Sequence, residues 1–241
     1  SLTGIYLDEI ALPSVYASGF DLQTDDVQHV EVLKGPQGTL FGQGAMGGVV
    51  RFISNKPSFE AVEGVLRTSG SATEDGDFSQ EYTAVVNMPV VDDVFALRLN
   101  ATYKDLGGWI DTINPATEET ITEDSNDRQV SNLQLKGLWR LTEDLSVDIL
   151  AIQYKSDTGN TNQTSKDSKS PLVVRNGLPF YRTDGIYDYD LYGLTLIYDL
   201  GFATLISASS SFDMVIDRSA SGGDVRFASG SALSTVSTGL G

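Results

Sequence analysis

Val30-Glu31-Val32-Leu33-Lys34-Gly35-Pro36-Gln37-Gly38-Thr39-Leu40-Phe41-Gly42, followed by Gly44-Ala45-Met46-Gly47-Gly48-Val49-Val50-Arg51-Phe52-Ile53, is the stretch whose reading decides the fold of this chain. Val30, Val32 and the run from Val49 to Ile53 suit strands, because β-branched side chains fit a pleated surface. Gly35-Pro36, Gly42, Gly44 and Gly47-Gly48 suit sharp turns and close backbone approach. A packed, hairpin-rich unit is expected. The glycines do not make a phosphate loop, since no Gly-Lys-Ser/Thr follows and no dinucleotide spacing is present. Glu31 and Arg51 are expected to pair with each other or with charges of the strand-rich region that follows, as ordinary structural ion pairs.

Beyond this unit the chain changes character. Asn55-Lys56-Pro57-Ser58 makes a polar break, and Pro57 disfavours continuation of a central ladder, so residues 1–57 and 58–241 read as two regions. The second is a train of alternating strands. Phe95, Leu97, Leu99, Ala101 and Tyr103 alternate with Ala96, Arg98, Asn100, Thr102 and Lys104. Leu133, Leu135, Gly137, Trp139 and Leu141 do so with Asn132, Gln134, Lys136, Leu138 and Arg140, and Tyr192, Leu194, Leu196 and Tyr198 with Gly193, Thr195 and Ile197. Weaker candidates near Val62 to Ser69, Glu81 to Met88, Ser146 to Lys155 and Phe202 to Phe212 bring the expectation to about seven strands. In the Ser146 to Lys155 segment Asp148 shares a face with Leu150 and Ile152, so its orientation stays open.

Connections carry the next step. Tight turns are expected around Pro89 to Asp93, Thr142 to Asp144 and Asp199 to Gly201, whereas Asp105 to Val130 and Ser156 to Tyr187 read as long, polar and strandless. Short turns at one end and long loops at the other suit a membrane barrel, and a ten-residue strand tilted about 45° rises roughly 24 Å, near the roughly 25 Å apolar band. An Arg or Lys facing lipid at mid-depth costs about 2–4 kcal/mol. Arg98, Lys104 and Lys136 are therefore expected to face inward, and Phe95, Leu97, Leu133, Trp139 and Tyr192 lipid. A soluble antiparallel sandwich with one wet face would give the same alternation.

Composition narrows function. The absence of Cys excludes disulfides and thiolate metal sites, and the single His29 leaves little for zinc or a His-dependent triad. Sixteen basic against 33 acidic residues, net −17, argues against nucleic acid. No apolar run approaches the roughly 18 residues of a spanning helix. Asp111, Glu118, Glu119, Glu123, Asp124 and Asp127 occur without an intervening base; a solvated loop is the expectation, a divalent-cation or cationic-ligand site the alternative. No carboxylate pair has a context that marks a glycosidase.

The stretch Val30 to Gly42, with Gly44 to Val50, Ser54-Asn55-Lys56-Pro57 and Ile5-Tyr6-Leu7-Asp8, resembles the terminal signature of the TonB-dependent outer-membrane receptor plug. The resemblance implies a mainly β fold: the C-terminal part of a plug over residues 1–57, then the first strands of a 22-stranded transmembrane barrel over 58–241, incomplete and not a stable transporter alone. It implies a nutrient receptor of the Gram-negative outer membrane, not an enzyme. No cofactor is implied. Partners would be TonB, whose contact motif is not in this stretch, a scarce nutrient such as a siderophore, cobalamin or oligosaccharide, outer-membrane lipid and the remainder of the barrel. Ala11 to Phe20 matches the family's apical plug loop, which makes Pro13, Ser14, Val15, Tyr16 and Phe20 the ligand-contact candidates; Glu31, Gly35, Pro36, Gly42, Gly47, Gly48 and Arg51 are the signature residues. Glu9 stands where many members have glycine, which puts the turn after Asp8 in question. The competing class is a surface-exposed β-rich binding module or adhesin without transport.

Overall fold

The structure, a computed structural model, describes residues 3–12, 21–41, 45–113, 117, 119–159, 185–220, 223–229 and 235–239. In the N-terminal unit β1 (Thr3–Leu7), β2 (Ile10–Leu12), β3 (Val27–Lys34) and β4 (Gly48–Ser54) form one sheet in the order β2-β1-β4-β3, with the short helix α1 (Gly38–Phe41) between β3 and β4. β1 runs parallel to β4, and the other two pairings are antiparallel. The valines expected in strands lie in β3 and β4. Gly35 and Gly48 take φ values of +89° and +148°, which side chains disfavour. A Cβ at Gly48 would lie 2.5 Å from the Leu33 carbonyl oxygen. Gly48→Ala is expected to destabilise this unit by about 1–3 kcal/mol, visible as a lower denaturation midpoint.

The turn after Asp8 forms without a glycine. Asp8 itself takes the positive φ, at 51°, which a short polar side chain tolerates. Its carboxylate accepts hydrogen bonds from the Ser54 amide at 2.9 Å and the Ser54 hydroxyl at 2.6 Å, tying β1 to the end of β4.

The second region is a nine-stranded antiparallel sheet, here called the wall. It comprises β5 (Glu63–Ala72), β6 (Phe78–Val91), β7 (Phe95–Leu106), β10 (Arg128–Arg140), β11 (Leu145–Thr158), β12 (Gly185–Asp199), β13 (Thr204–Ala220), β14 (Gly223–Ser229) and β15 (Thr235–Gly239), while β8 (Thr112–Ile113) and β9 (Thr120–Thr122) pair apart. All seven expected strands are present, each adjacent to its predecessor in the wall. Three features differ from expectation. The Asp105 to Val130 segment carries the small β8–β9 hairpin and is not strandless. Pro89 lies inside β6, at a bulge between Pro89 and Val91 where its missing N–H breaks no regular ladder. β14 and β15 pair with the upper and lower parts of β13, so together they fill one further strand position.

The wall's two faces follow from its alternation. Tyr82, Met88, Leu99, Tyr103, Leu133, Leu135, Trp139, Ile149, Tyr192, Leu194 and Tyr198 are exposed on the outer face. Phe95 and Trp139 meet edge to face, with centroids 6.3 Å apart, at one rim of this apolar surface. The inner face is divided. On β6, β7 and β10 it is polar, with buried Thr83, Asn87, Asn100, Thr102, Asn132, Gln134 and Lys136. On β11 to β13 it is apolar, where Leu150, Ile152, Tyr154, Tyr189, Leu191, Phe212 and Met214 pack against Leu7, Ile10 and Leu12 of the N-terminal unit. This division settles the Ser146 to Lys155 segment: Asp148, Leu150 and Ile152 all face inward, with Leu150 and Ile152 against the N-terminal unit, while Ile149 is exposed on the outer face. Among the described residues no helix is long and apolar enough to cross a membrane.

The chain between the sheets is held to the wall. Asn87, fully buried, accepts from the Ser58 amide at 2.8 Å and donates to the Ser58 and Ala61 carbonyls at 3.0 and 2.8 Å. Lys136 donates to the Asn55 carbonyl at 2.9 Å, and Arg140 lies over the Phe59 ring, 4.3 Å from its centroid.

Candidate functional site

Pro13, Ser14, Val15, Tyr16 and Phe20 lie outside the described residues, and so does Gly42. What the structure gives is the frame from which that loop springs. At one root Leu12 is buried in the apolar cluster. At the other, Asp21 accepts from the Arg128 guanidinium at 2.6 Å and from the Tyr154 hydroxyl at 3.2 Å, while its carbonyl accepts from the Tyr189 hydroxyl at 3.2 Å. The two tyrosine rings are stacked 4.7 Å apart. One short segment is thus fixed to β10, β11 and β12 at once.

The next residues continue the pattern. Asp25 lies 3.7 Å from the Lys104 ammonium and accepts from the Thr102 hydroxyl at 3.3 Å. Asp26, only 3% exposed, receives both Nε and a terminal nitrogen of Arg98, at 2.8 and 2.6 Å, with the Lys136 ammonium 4.0 Å away. A forked guanidinium on a carboxylate fixes direction as well as charge. The segment 21–26 is therefore an acidic strap lying on a basic strip of the wall. Sequence reading placed Arg98, Lys104 and Lys136 on the inner face, where they are, but it missed the strap. Three aspartates within six residues, just after the expected loop, were the available signal.

The signature residues form a second, separate cluster. Arg51 donates to Glu31 at 2.8 Å and to Glu9 at 2.7 Å, all within the N-terminal unit, and His29 lies 3.3 Å from Glu31. The pairing is thus internal to the unit among the described residues. Glu9, at the position where the resemblance implies glycine, supplies the second carboxylate. The Arg51 guanidinium also stands 5.8 Å from the Phe41 ring, whose carbonyl accepts the Tyr6 hydroxyl at 2.5 Å. Burial raises the Tyr6 pKa. Gly35 and Gly47 join across the turn by an amide-to-carbonyl hydrogen bond of 3.2 Å, and Gln37 to Ala45 by one of 2.8 Å, bracketing Pro36.

At the far rim the loop connections interlock. The Asp77 amide donates to the Gly108 carbonyl at 2.9 Å, the Gly159 amide to the Asp127 carbonyl at 2.8 Å, and the Asn126 side chain accepts from the Trp109 and Ile110 amides at 2.7 and 2.8 Å. Among the described residues no group of acids or His could hold a metal ion. Burial, and after it the carboxylates of Asp157, Asp105 and Asp77, raise the Asp127 pKa against one opposing backbone hydrogen bond. The folded rim therefore binds this proton more tightly than the unfolded chain. Its stability is expected to fall as pH rises from the ordinary carboxylate range through the raised value, and Asp127→Asn should remove that slope. Amide exchange at Asp77 and Ser125, corrected for intrinsic rate, checks the direction.

The family model described as TonB-dependent Receptor Plug Domain matches residues 1–49. The ferrioxamine B receptor of Salmonella typhimurium is 25% identical over 197 residues, 80% of this chain and 25% of that protein. The chain thus spans about a quarter of the length of this curated relative. Among solved structures, the ferric yersiniabactin uptake receptor FyuA from Yersinia pestis superposes with a TM-score of 0.70 at 21% identity, covering 92% of this chain and 33% of that one. The siderophore receptor PirA from Acinetobacter baumannii gives 0.69 at 19%, covering 94% and 36%. At these identities the structural likeness speaks for the fold. These relatives are named as receptors, none as an enzyme.

Proposed function

Because the chain is part of a TonB-dependent receptor of the Gram-negative outer membrane, we propose that it contributes to the active import of a scarce nutrient of the siderophore class. In this reading residues 1–57 belong to the plug, and the strands after Pro57 open the barrel that surrounds it. The 13–20 loop, with Pro13, Ser14, Val15, Tyr16 and Phe20, meets the nutrient at the extracellular side, and TonB supplies the energy that displaces the plug. No bond in the nutrient changes.

The observation that supports this best is the acidic strap. It joins the root of the proposed ligand loop to the wall through ion pairs and hydrogen bonds, so the plug is held firmly at rest yet without a covalent or fully apolar seal. The names of the relatives favour ferric chelates over other cargo. The test is uptake of iron-55 from a panel of ferric hydroxamate, catecholate and phenolate siderophores by cells carrying the complete receptor, with and without TonB. TonB-dependent accumulation from one of them is expected. Uptake of none, or equal uptake without TonB, would defeat the proposal.

A further inference from the structure

Arg98 and Lys136 are directly opposite each other on neighbouring strands, both on the inner face. Like charges in that position repel and destabilise a sheet. What reconciles them is an anion between them, the Asp26 carboxylate. Lys104 stands six residues from Arg98 along β7, a rise of about 20 Å, and meets Asp25. Arg128, at the loop end of β10, meets Asp21. Arg67 reaches the Asp25 carbonyl at 3.5 Å. Between these cations the wall carries buried Asn100, Thr102, Asn132 and Gln134, and the Asn100 side-chain nitrogen, in a residue 1% exposed, finds no acceptor among the described residues. Glu63, Glu81 and Asp148 are wall acids near this strip, with Glu81 3.7 Å from Lys104 and Asp148 paired at 3.0 Å with Lys56.

We propose that this strip is an anion lane: the aspartates of the strap occupy it while the plug is seated, and a negatively charged, oxygen-rich chelate takes their place when the strap withdraws. The inference rests on the proposed import only for its second half. A row of cations desolvated by protein attracts oxyanions strongly, and it rejects cationic solutes for the same reason. The strap is then both clasp and stand-in. Its carboxylates keep the cations paired at rest, and the passing solute keeps them paired during transfer, so no stage leaves buried charge unanswered.

The test needs no knowledge of the natural cargo. In the complete receptor, Asp21→Asn, Asp25→Asn and Asp26→Asn together keep the shape of the strap and remove its charge. The variant's melting temperature is expected to rise saturably when potassium phosphate replaces potassium gluconate at constant ionic strength, while the unaltered receptor does not respond. Adding Arg98→Gln and Lys104→Gln should abolish the response. Where the triple variant does not fold, Asp26→Asn alone serves, with an anomalous bromide peak expected beside Arg98 and Lys136. Equal phosphate responses in variant and unaltered receptor, or no bromide at that pair, would overturn the proposal. Loss of TonB-dependent uptake with the phosphate response intact would count against the import reading instead.

Discussion

Asp26→Ala should weaken the seating of the plug by about 3–5 kcal/mol, because it leaves Arg98 and Lys136 facing each other in a buried setting with no carboxylate between them. Asp26 and Lys136 side chains are 3% and 6% exposed, so water cannot easily take over the solvation. The loss has three sources: the forked Arg98 contact, the Asn55 amide that donates to Asp26 at 2.9 Å, and the repulsion the carboxylate now screens. Limited proteolysis of the complete receptor during urea titration would read it, since an unseated plug exposes β3 and β4 to cleavage well before the barrel unfolds. Arg98→Gln should cost a similar amount. The double variant Asp26→Asn/Arg98→Gln should cost less than the sum by about 0.5–3 kcal/mol, as expected for groups in contact. Strict additivity would mean that the two side chains do not share an interaction in the folded receptor.

Leu135→Arg is expected to destabilise the barrel by about 2–4 kcal/mol, since it sets a guanidinium in the middle of the outer apolar surface. Leu135 is exposed, one position from Lys136, which points the other way. The contrast is the point of the experiment. The chain tolerates a lysine at 136 because the Asn55 carbonyl and the Asp26 carboxylate receive it, while a base at 135 would stand on the exposed apolar face. Folding titrations of the complete receptor into phospholipid vesicles would give the value, and a change below about 0.5 kcal/mol, ordinary for a soluble surface, would show that this face is wet.

Much of this was legible in the chain itself. Alternation along Phe95 to Tyr103 and Leu133 to Leu141 named strands and faces together, because a period of two puts the apolar row on one face and Arg98, Lys104 and Lys136 on the other. The glycine-rich stretch from Gly35 to Gly48 signalled a tightly turned sheet, and Gly48 proves to need a backbone that only glycine takes easily. The β11 segment was not legible. Leu150 and Ile152 gave no direction because the strand carries apolar residues on both sides, Ile149 exposed on the outer face and Leu150 and Ile152 against Leu7, Ile10 and Leu12. The β8–β9 hairpin escaped for a different reason: two- and three-residue strands are too short to show a period. Pro89 read as a turn because its missing N–H argues against a ladder, and only the bulge in β6 accommodates it.

The sequence by itself determined the strands and the side of the wall on which Arg98, Lys104 and Lys136 lie, since these follow from local periodicity and from the price of misplaced charge, while the class of fold was implied by the resemblance carried by Val30 to Pro57. Tertiary structure alone decided which groups answer those cations. Asp26 and Arg98 are 72 residues apart and Asp21 and Arg128 are 107 apart, and no local pattern encodes a pairing over such distances. It also decided that Glu9 joins the expected Glu31–Arg51 pair. Those partners converge because β1 runs parallel to β4 and β3 antiparallel to it, which brings segments 20 and 42 residues apart in the chain together.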